Sequence, residues 1–275
     1  GTLDDFNPSI QPTADGGYIV AGSSESNDGN VSGNHGGRDY WVVKLNATGA
    51  IQWQKSLGGT SGDYAESIKP TADGGYIVAG WSESNDGDVS GNHGGYDCWI
   101  VKLDATGAIQ WQKSLGGTGH DYANSIQTTS DGGYIVAGVS NSNGGDVSGN
   151  HGNYDYWVVK LNATGAILWQ KSLGGTYDDV PNSVQSTADG GYIVAGTTSS
   201  NDGDVSGFHG YSDCWIIRLN ATGNIQWQKS LGGTGLDDGE FIQSTADGGH
   251  IVAGSTWSND GDVSGNHGGY DCWIV

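Results

Sequence analysis

Acidic residues recur at fixed spacing in this chain of 275 residues, and their side chains are of the kind that binds calcium. In the stretch SNDGDVSGNHGGYD, Asp86 and Asp88 are followed nine residues later by Asp97. Calcium takes roughly six to eight oxygen ligands from carboxylates, backbone carbonyls and water. The copies of this stretch that keep all three carboxylates give the candidate calcium ligands Asp86, Asp88, Asp97, Asp202, Asp204, Asp213, Asp260, Asp262 and Asp271.

Two other copies lose a carboxylate. The first copy has Asn30 at the second acidic position, and the third copy has Gly144 at the first acidic position. Asn, Asp and Gly also favour Asx turns and left-handed bends. A loop scaffold without metal is therefore the favoured interpretation, and calcium is the alternative. Two interpretations also apply to a second acidic series, which stands at the start of strand A in each copy. Its carboxylates attract a cation together, or each accepts hydrogen bonds from the amides of the preceding turn, and the second interpretation is favoured. The series is Asp5, Asp63, Asp121, Asp179 and Asp237.

Two tryptophans differ from the other copies of the repeat. Trp81 and Trp257 come just after a strand signal, with Trp257 shifted by two positions. A flat apolar ring beside fixed polar groups is typical of a sugar site, although packing between blades is an equal alternative. The candidate glycan-binding residues are these tryptophans and the Asn-His pairs of the same copies: Trp81, Trp257, Asn92, His93, Asn266 and His267.

The Asn-Ala-Thr triplets at Asn46, Asn162 and Asn220 match the glycosylation acceptor pattern. Asn-x-Thr-Gly is also good turn chemistry, and Asp104 replaces the asparagine in the second copy. A turn is therefore the favoured interpretation of these triplets, and glycosylation is the alternative.

These residues are positioned by a repeat of 58 residues. GGYIVAG begins at Gly16, Gly74, Gly132 and Gly190, and GGHIVAG begins at Gly248. The copies are 1–58, 59–116, 117–174, 175–232 and 233–275, which we treat as one domain over 1–275. A period near 50 with about four strand signals per copy indicates a propeller blade.

The second copy shows four strands: DYAESIKPT, YIVAGWS, YDCWIVKL and AIQWQKSLGG. We name them A to D in chain order. Strands B and C are apolar on both faces, as in strands between neighbouring blades, whereas D alternates and A is small and polar. The sequence thus predicts an all-β, five-bladed β-propeller of four-stranded repeats, with A innermost and the fifth blade lacking its outer strand. The edge Cys272–Val275 of that blade is a candidate for self-association, although an arbitrary boundary within a longer repeat protein is the preferred explanation.

Charge excludes several partners. The formal net charge is −21 with only ten basic residues, which argues against nucleic acid and anionic membranes. No apolar run has the length of a membrane span, so membrane insertion is not expected. The cysteines Cys98, Cys214 and Cys272 share one repeat position with Tyr40 and Tyr156, which predicts buried thiols.

The motifs GNIQWQKSLGGT, TADGGYIVAG and SNDGDVSGNHGGYDYW resemble the propeller-forming repeats of secreted and cell-surface proteins from bacteria and some archaea. In architecture alone, the predicted fold is similar to five-bladed lectins of the tachylectin-2 type. The resemblance covers the whole chain and implies an extracellular or cell-surface location with an adhesive or scaffold role.

No nucleophile–His–Asp set, phosphate loop or cofactor fingerprint occurs, and no copy carries an acidic pair that the others lack. We therefore expect a non-catalytic binding or adhesion module that recognises a glycan or a surface protein through the repeated B–C and D–A loops. The alternative is a structural unit of a stalk or filament that assembles through the open edge of blade five. A glycoside hydrolase is less favoured, and the chain is not expected to be an enzyme.

Overall fold

Each copy forms one antiparallel sheet in the computed structural model, which describes residues 1–245 and 247–275, with only the main chain of residue 7. The first four sheets have four strands and the fifth has three. In chain order the strands are β1 (Asp5–Pro12), β2 (Tyr18–Ser24), β3 (Asp39–Leu45), β4 (Ile51–Leu57), β5 (Asp63–Pro70), β6 (Tyr76–Ser82), β7 (Asp97–Leu103), β8 (Ile109–Leu115), β9 (Asp121–Thr128), β10 (Tyr134–Ser140), β11 (Asp155–Leu161), β12 (Ile167–Leu173), β13 (Asp179–Ser186), β14 (Tyr192–Thr198), β15 (Asp213–Leu219), β16 (Ile225–Leu231), β17 (Asp237–Ser244), β18 (His250–Thr256) and β19 (Asp271–Ile274).

The five sheets confirm an all-β propeller of five blades. The order within each complete sheet is that of the chain, for example β5-β6-β7-β8. The first strands of successive blades pack against one another in the order β1, β5, β9, β13 and β17, so strand A is innermost as predicted. Within the described residues, no helix has the length and apolar character needed to cross a membrane.

The short turns follow from local sequence. Between β5 and β6, Gly74 has a φ of 81°, a left-handed conformation that glycine adopts without steric cost. Asp73 Oδ1 accepts the N–H of Gly75 at 3.1 Å and the hydroxyl of Thr71 at 2.5 Å. The segment TADGG is thus a turn stabilised by its own aspartate, and it sets the register of Tyr76 opposite Pro70.

The core lies between blades. At the junction of blades one and two, Ile19 and Tyr40 of the first blade pack with Ile68, Val78 and Trp99 of the second, all fully buried. Three further clusters repeat this arrangement at the next three junctions. Strands B and C therefore use both faces, which explains their continuous apolar pattern.

The outward faces of blades one and five are uncovered. Tyr18 is 41% exposed, whereas Tyr76 at the same repeat position is 4% exposed. At the other end, Ile251 is 43% exposed and its equivalent Ile193 is fully buried. Cys272 is likewise exposed, so the prediction that all three thiols are buried was wrong for this one. Cys272 is exposed because, among the described residues, no sheet packs on the side of blade five where it lies.

Blade five lacks strand D, as predicted. Its outermost strand is β19, which pairs with β18 on one side only. The pairing extends to Val275, which exchanges backbone hydrogen bonds with Val252 at 2.7 and 2.9 Å.

The substitution Ile135→Ala should lower the free energy of unfolding by about 2–5 kcal/mol, because this side chain is fully buried between blades three and four. Ile251→Ala, at the equivalent position of blade five, should cost less than half as much, since 43% of that side chain is exposed. Denaturant unfolding followed by circular dichroism measures both values. Equal losses would contradict an uncovered face on blade five.

Candidate ligand-binding site

The long loops on one face are fastened to each other by aspartates. Thr60, in the connection that enters blade two, donates its N–H and its hydroxyl to Asp86 of the B–C loop, each at 2.8 Å. Asp202 and Asp260 hold their own connections in the same way. The first acidic position of the repeat is thus a clamp between two loops.

The three carboxylates that the sequence groups in one copy lie at two different junctions. Asp88 faces back toward blade one, where its carboxylate accepts the N–H of Gly58 at 3.3 Å. Burial raises the pKa of Asp39 in blade one, and the charge of Asp88 adds a smaller effect. Asp97 faces forward: burial raises its pKa, and the charge of Asp121 in blade three adds a smaller effect. Asp204 and Asp213 are divided in the same manner.

Among the described residues, no group of three or more His, Cys, Asp or Glu side chains is arranged to hold a metal ion. Calcium binding by the acidic loops stays a prediction.

The Asn-His pairs fix the shape of their own loops. His93 Nδ1 lies 2.6 Å from Asp97 Oδ2, and the His93 N–H donates to the same oxygen at 3.0 Å. Asn92 donates to the Ser82 carbonyl at 3.1 Å and accepts from the Gly94 N–H at 2.9 Å. Asn266 and His267 repeat these contacts in blade five. These polar atoms are occupied within the loop.

The asparagines of the three Asn-Ala-Thr triplets organise the C–D turns. Asn46 Oδ1 accepts the N–H groups of Thr48 and Ala50 at 2.9 and 3.0 Å. Asn162 and Asn220 do the same in blades three and four. The turn chemistry that the sequence favours is present, and glycosylation stays a prediction.

Fully buried carboxyl groups meet at the blade junctions. Asp63 Oδ2 accepts the Gly59 N–H at 2.8 Å and the Ser84 hydroxyl at 3.0 Å, so the strand-start aspartate serves the preceding turn. Burial, with a smaller effect from Asp39 of blade one, raises the pKa of Asp63 to about 6. Asp39 is itself fully buried, and none of the described residues donates a hydrogen bond to its Oδ1. The pKa of Asp179 is raised to about 6 by the same causes.

Trp81 belongs to a half-buried aromatic cluster across blades two and three. Its ring stacks on Tyr64 with centroids 3.7 Å apart and meets Tyr96 and Tyr122 edge-on at 4.9 and 5.2 Å. One face of the indole is covered by Tyr64, which is the packing alternative considered from the sequence.

Trp257 is in a different setting, because it lines a cavity of about 680 Å³ between blades four and five. The apolar walls are Tyr211, which is 78% exposed, Trp257, which is 55% exposed, and Leu236. The remaining lining is polar: Thr234, Gly235, Ser258, Asn259 and Asp260. Cavities of a few hundred to about a thousand cubic ångströms with aromatic walls and a few polar groups are typical ligand sites.

Backbone contacts bring the three apolar side chains together. The Trp257 N–H donates to the Leu236 carbonyl at 2.7 Å, and the Tyr211 N–H donates to the Gly235 carbonyl at 3.2 Å. The connection from blade four to blade five thus lies between the B–C loop of blade four and the end of β18, and it is hydrogen-bonded to both.

An ionised acceptor lies at the cavity wall. Asp260 accepts the Thr234 N–H at 2.8 Å and its hydroxyl at 2.9 Å, and these bonds hold the pKa of Asp260 below its usual value. The carboxylate is thus charged at neutral pH and can accept hydrogen bonds from a hydroxyl-rich ligand.

Tyr211 and Leu236 were missed from the sequence, although a column-by-column comparison of the copies reveals them. Where blade four has Tyr211, the others have Gly37, Gly95, Asn153 and Gly269. Where the last connection has Leu236, the earlier ones have Gly62, His120 and Asp178. Where blade five has Trp257, the others have Glu25, Glu83, Asn141 and Ser199. All three differences fall at one junction, that of blades four and five.

No family model matches the chain, and no curated protein does. Among solved structures, a protein of unknown function from Dyadobacter fermentans is 13% identical with a TM-score of 0.55, over 93% of this chain and 76% of that one. A protein of unknown function from Bacteroides caccae is 13% identical with a TM-score of 0.50, over 86% of this chain and 65% of that one. The apocarotenoid oxygenase of Synechocystis is 11% identical with a TM-score of 0.50, over 93% of this chain and 57% of that one. At these identities the likeness shows the fold alone, and this chain spans less than two thirds of the latter two.

The expectation that the chain is not an enzyme is corrected. An oxygenase shares the fold, so propeller sheets of this kind do not exclude catalysis. The fold leaves the enzyme status of this chain open.

The chain should become more stable as the pH falls from about 7 to about 4. A carboxyl whose pKa is higher in the folded chain binds its proton more tightly there than in the unfolded chain. Its protonation therefore stabilises the fold fully below the unfolded pKa, and this stabilisation is lost as the pH rises through the folded pKa. For Asp63 and Asp179 that window runs from 3.8 to about 6, which corresponds to at most about 3 kcal/mol each. Below it, stability should fall again, because hydrogen bonds from Thr71 and Lys102 lower the pKa of Asp73 to about 2.

Thermal unfolding across this pH range is the measurement. The variant Asp63→Asn should flatten the rise between about pH 7 and 4. Asp4→Asn removes the same charge from an exposed site and should leave the slope unchanged. A slope equal in all three proteins would show that overall charge, not the buried pairs, governs the pH response.

Proposed function

We propose that this propeller binds glycans on the face of its B–C and D–A loops, in the cavity between blades four and five. The observation that carries the proposal is the joint replacement of small or polar residues by Tyr211, Leu236 and Trp257 around one cavity of about 680 Å³. Two exposed aromatic rings provide flat apolar surface for the carbon-bound face of a sugar ring. Asn259 and Asp260 supply hydrogen-bonding groups beside them.

Charge favours a neutral ligand. The net charge of −21 and the ionised Asp260 repel phosphates and other anions near this cavity. A neutral polyhydroxylated ligand meets no such repulsion and can donate hydroxyl protons to the carboxylate.

The setting that fits this activity is the cell surface or the extracellular space. The repeat resembles those of secreted and surface proteins, and the acidic composition suits a soluble, extended presentation of binding sites. Adhesion to glycans on a neighbouring surface is the role we infer from this combination.

Trp257→Ala and Tyr211→Ala should each weaken glycan binding by about tenfold or more, because each removes one aromatic wall of the cavity. The matched control is Trp227→Ala, which removes a tryptophan that is 41% exposed on the outer strand β16 and lies outside the cavity lining. This control should bind like the original chain.

A glycan array identifies the ligand, and titration calorimetry then measures the three variants. Both are run with calcium and with a chelator, so that a loss under chelation would assign calcium to the acidic loops. A folded chain that binds no glycan, or one that binds equally well after both cavity substitutions, contradicts the proposal.

A further inference from the structure

The sequence contains a single Asn-Gly pair, Asn143 and Gly144, in the B–C loop of blade three. The other four copies have aspartate where blade three has Gly144. In such a pair the main-chain nitrogen of the glycine lies close to the side-chain amide carbon of the asparagine and can attack it within the same molecule. Glycine has no side chain that hinders this approach, and its main chain rotates freely. The pair is therefore the place where the sequence most favours spontaneous loss of a side-chain amide.

The surroundings of the pair are open. Asn143 and Gly144 are both exposed, and a side-chain carbon built on Gly144 would meet no atom within 4 Å. Among the described residues, no hydrogen bond engages the Asn143 side chain or the Gly144 N–H. The attacking nitrogen and the amide that it attacks are thus unrestrained, and nothing in the loop obstructs their approach.

Two kinds of hydrogen bond hold the equivalent loops of the other blades. The first is the clamp between the aspartate and the threonine of the entering connection, which blades one, two, four and five all have. The second is made by the asparagine: in blade two, Asn85 Oδ1 accepts the N–H of Gly91 at 3.1 Å, and blades one and five repeat this bond. Within the described part of the chain, the loop of blade three has neither bond. Gly144 thus removes the clamp and also supplies the unhindered nitrogen.

We propose that Asn143 is a site of spontaneous conversion to aspartate and isoaspartate. The Gly144 nitrogen loses its proton and bonds to Asn143 Cγ, and the bond from Cγ to Nδ2 breaks as ammonia leaves, which closes a cyclic imide. Water then opens the ring. Its addition at Cγ gives aspartate, and its addition at the main-chain carbonyl carbon gives isoaspartate, in which the main chain runs through the β-carbon. The overall reaction consumes one water and releases one ammonia, so it requires no oxidant or enzyme.

The conversion changes the charge and the shape of this loop. Each converted chain gains one negative charge beyond −21, in the only B–C loop that has no aspartate at the first acidic position. Isoaspartate also lengthens the main chain by the β-carbon. Because the ammonia is lost to the solvent, the change is not reversed, and the converted fraction records the age of the chain.

Tandem mass spectrometry of the whole chain, incubated at neutral pH and physiological temperature and then digested, tests this site. A sample digested before incubation corrects for conversion during digestion. Asn143 should be lost at least about tenfold faster than Asn85, whose side chain is hydrogen-bonded and whose next residue is Asp86. The products should include isoaspartate as well as aspartate, because only opening of the cyclic imide gives both.

Two substitutions exchange the character of the loops. Gly144→Asp restores the residue of the other copies, and the loop accommodates it because Gly144 has no left-handed φ and open space surrounds it. Conversion of Asn143 in this variant should be at least about tenfold slower. Asp86→Gly removes the clamp on Thr60 and places a glycine after Asn85, so Asn85 should become a second site of rapid conversion.

Circular dichroism establishes that both variants are folded. An Asn143 that stays intact in the aged chain, an Asn85 that is lost equally fast in the original chain, or aspartate without isoaspartate would each overturn the proposal. An Asp86→Gly variant whose Asn85 stays intact would overturn it as well, because the glycine and the missing clamp are its stated causes.

Discussion

A blade of this chain has two apolar faces and can bury neither of them alone. Strand β6 illustrates the constraint, because Ile77 packs at one junction and Val78 at the other, and both are fully buried. Stability therefore comes from stacking blades, as in other repeat proteins in which neighbouring units share a core. The loop clamps, the buried carboxyl pairs and the cavity all lie at junctions that this stacking creates.

The junctions also explain why the most regular polar residues serve the scaffold. Asp86 receives two hydrogen bonds from Thr60, and Asp97 holds His93, so each connects backbone segments that would otherwise be long and unsupported. A buried polar group needs its partner, and the His–Asp pair is accordingly present in all five copies. The exposed clamp is less strict, since the third copy has Gly144 in place of its aspartate. The cavity follows the opposite rule, since Tyr211, Leu236 and Trp257 replace residues that the scaffold does not require.

Much of the fold could be predicted from the sequence, and the candidate site only in part. The period of 58 residues and the Asp-Gly-Gly turns give the strand order. In blade two, β6 covers the predicted YIVAGWS without change, and the other three strands differ from their predicted bounds by one or two residues. Trp257 stood out as an aromatic residue, but its partners did not, because Tyr211 is 46 residues away in the chain and no local pattern links them. The sequence groups Asp86, Asp88 and Asp97 but does not locate them in space, and the structure places Asp88 at one junction and Asp97 at the next.

Near-identity among copies makes their differences informative. In a repeat where most positions are constrained by an identical junction, a single large apolar residue on the surface has no structural reason that the other copies share. Trp257 and Trp81 are both of this kind, yet their surroundings differ. Trp257 faces a cavity whose other walls belong to the chain itself, so a small ligand can fill it. The ring of Trp81 stacks on Tyr64 with centroids 3.7 Å apart, so the chain itself covers one of its faces. The cover that neighbouring residues provide, and not the residue type, therefore separates a ligand site from a packing position in this propeller.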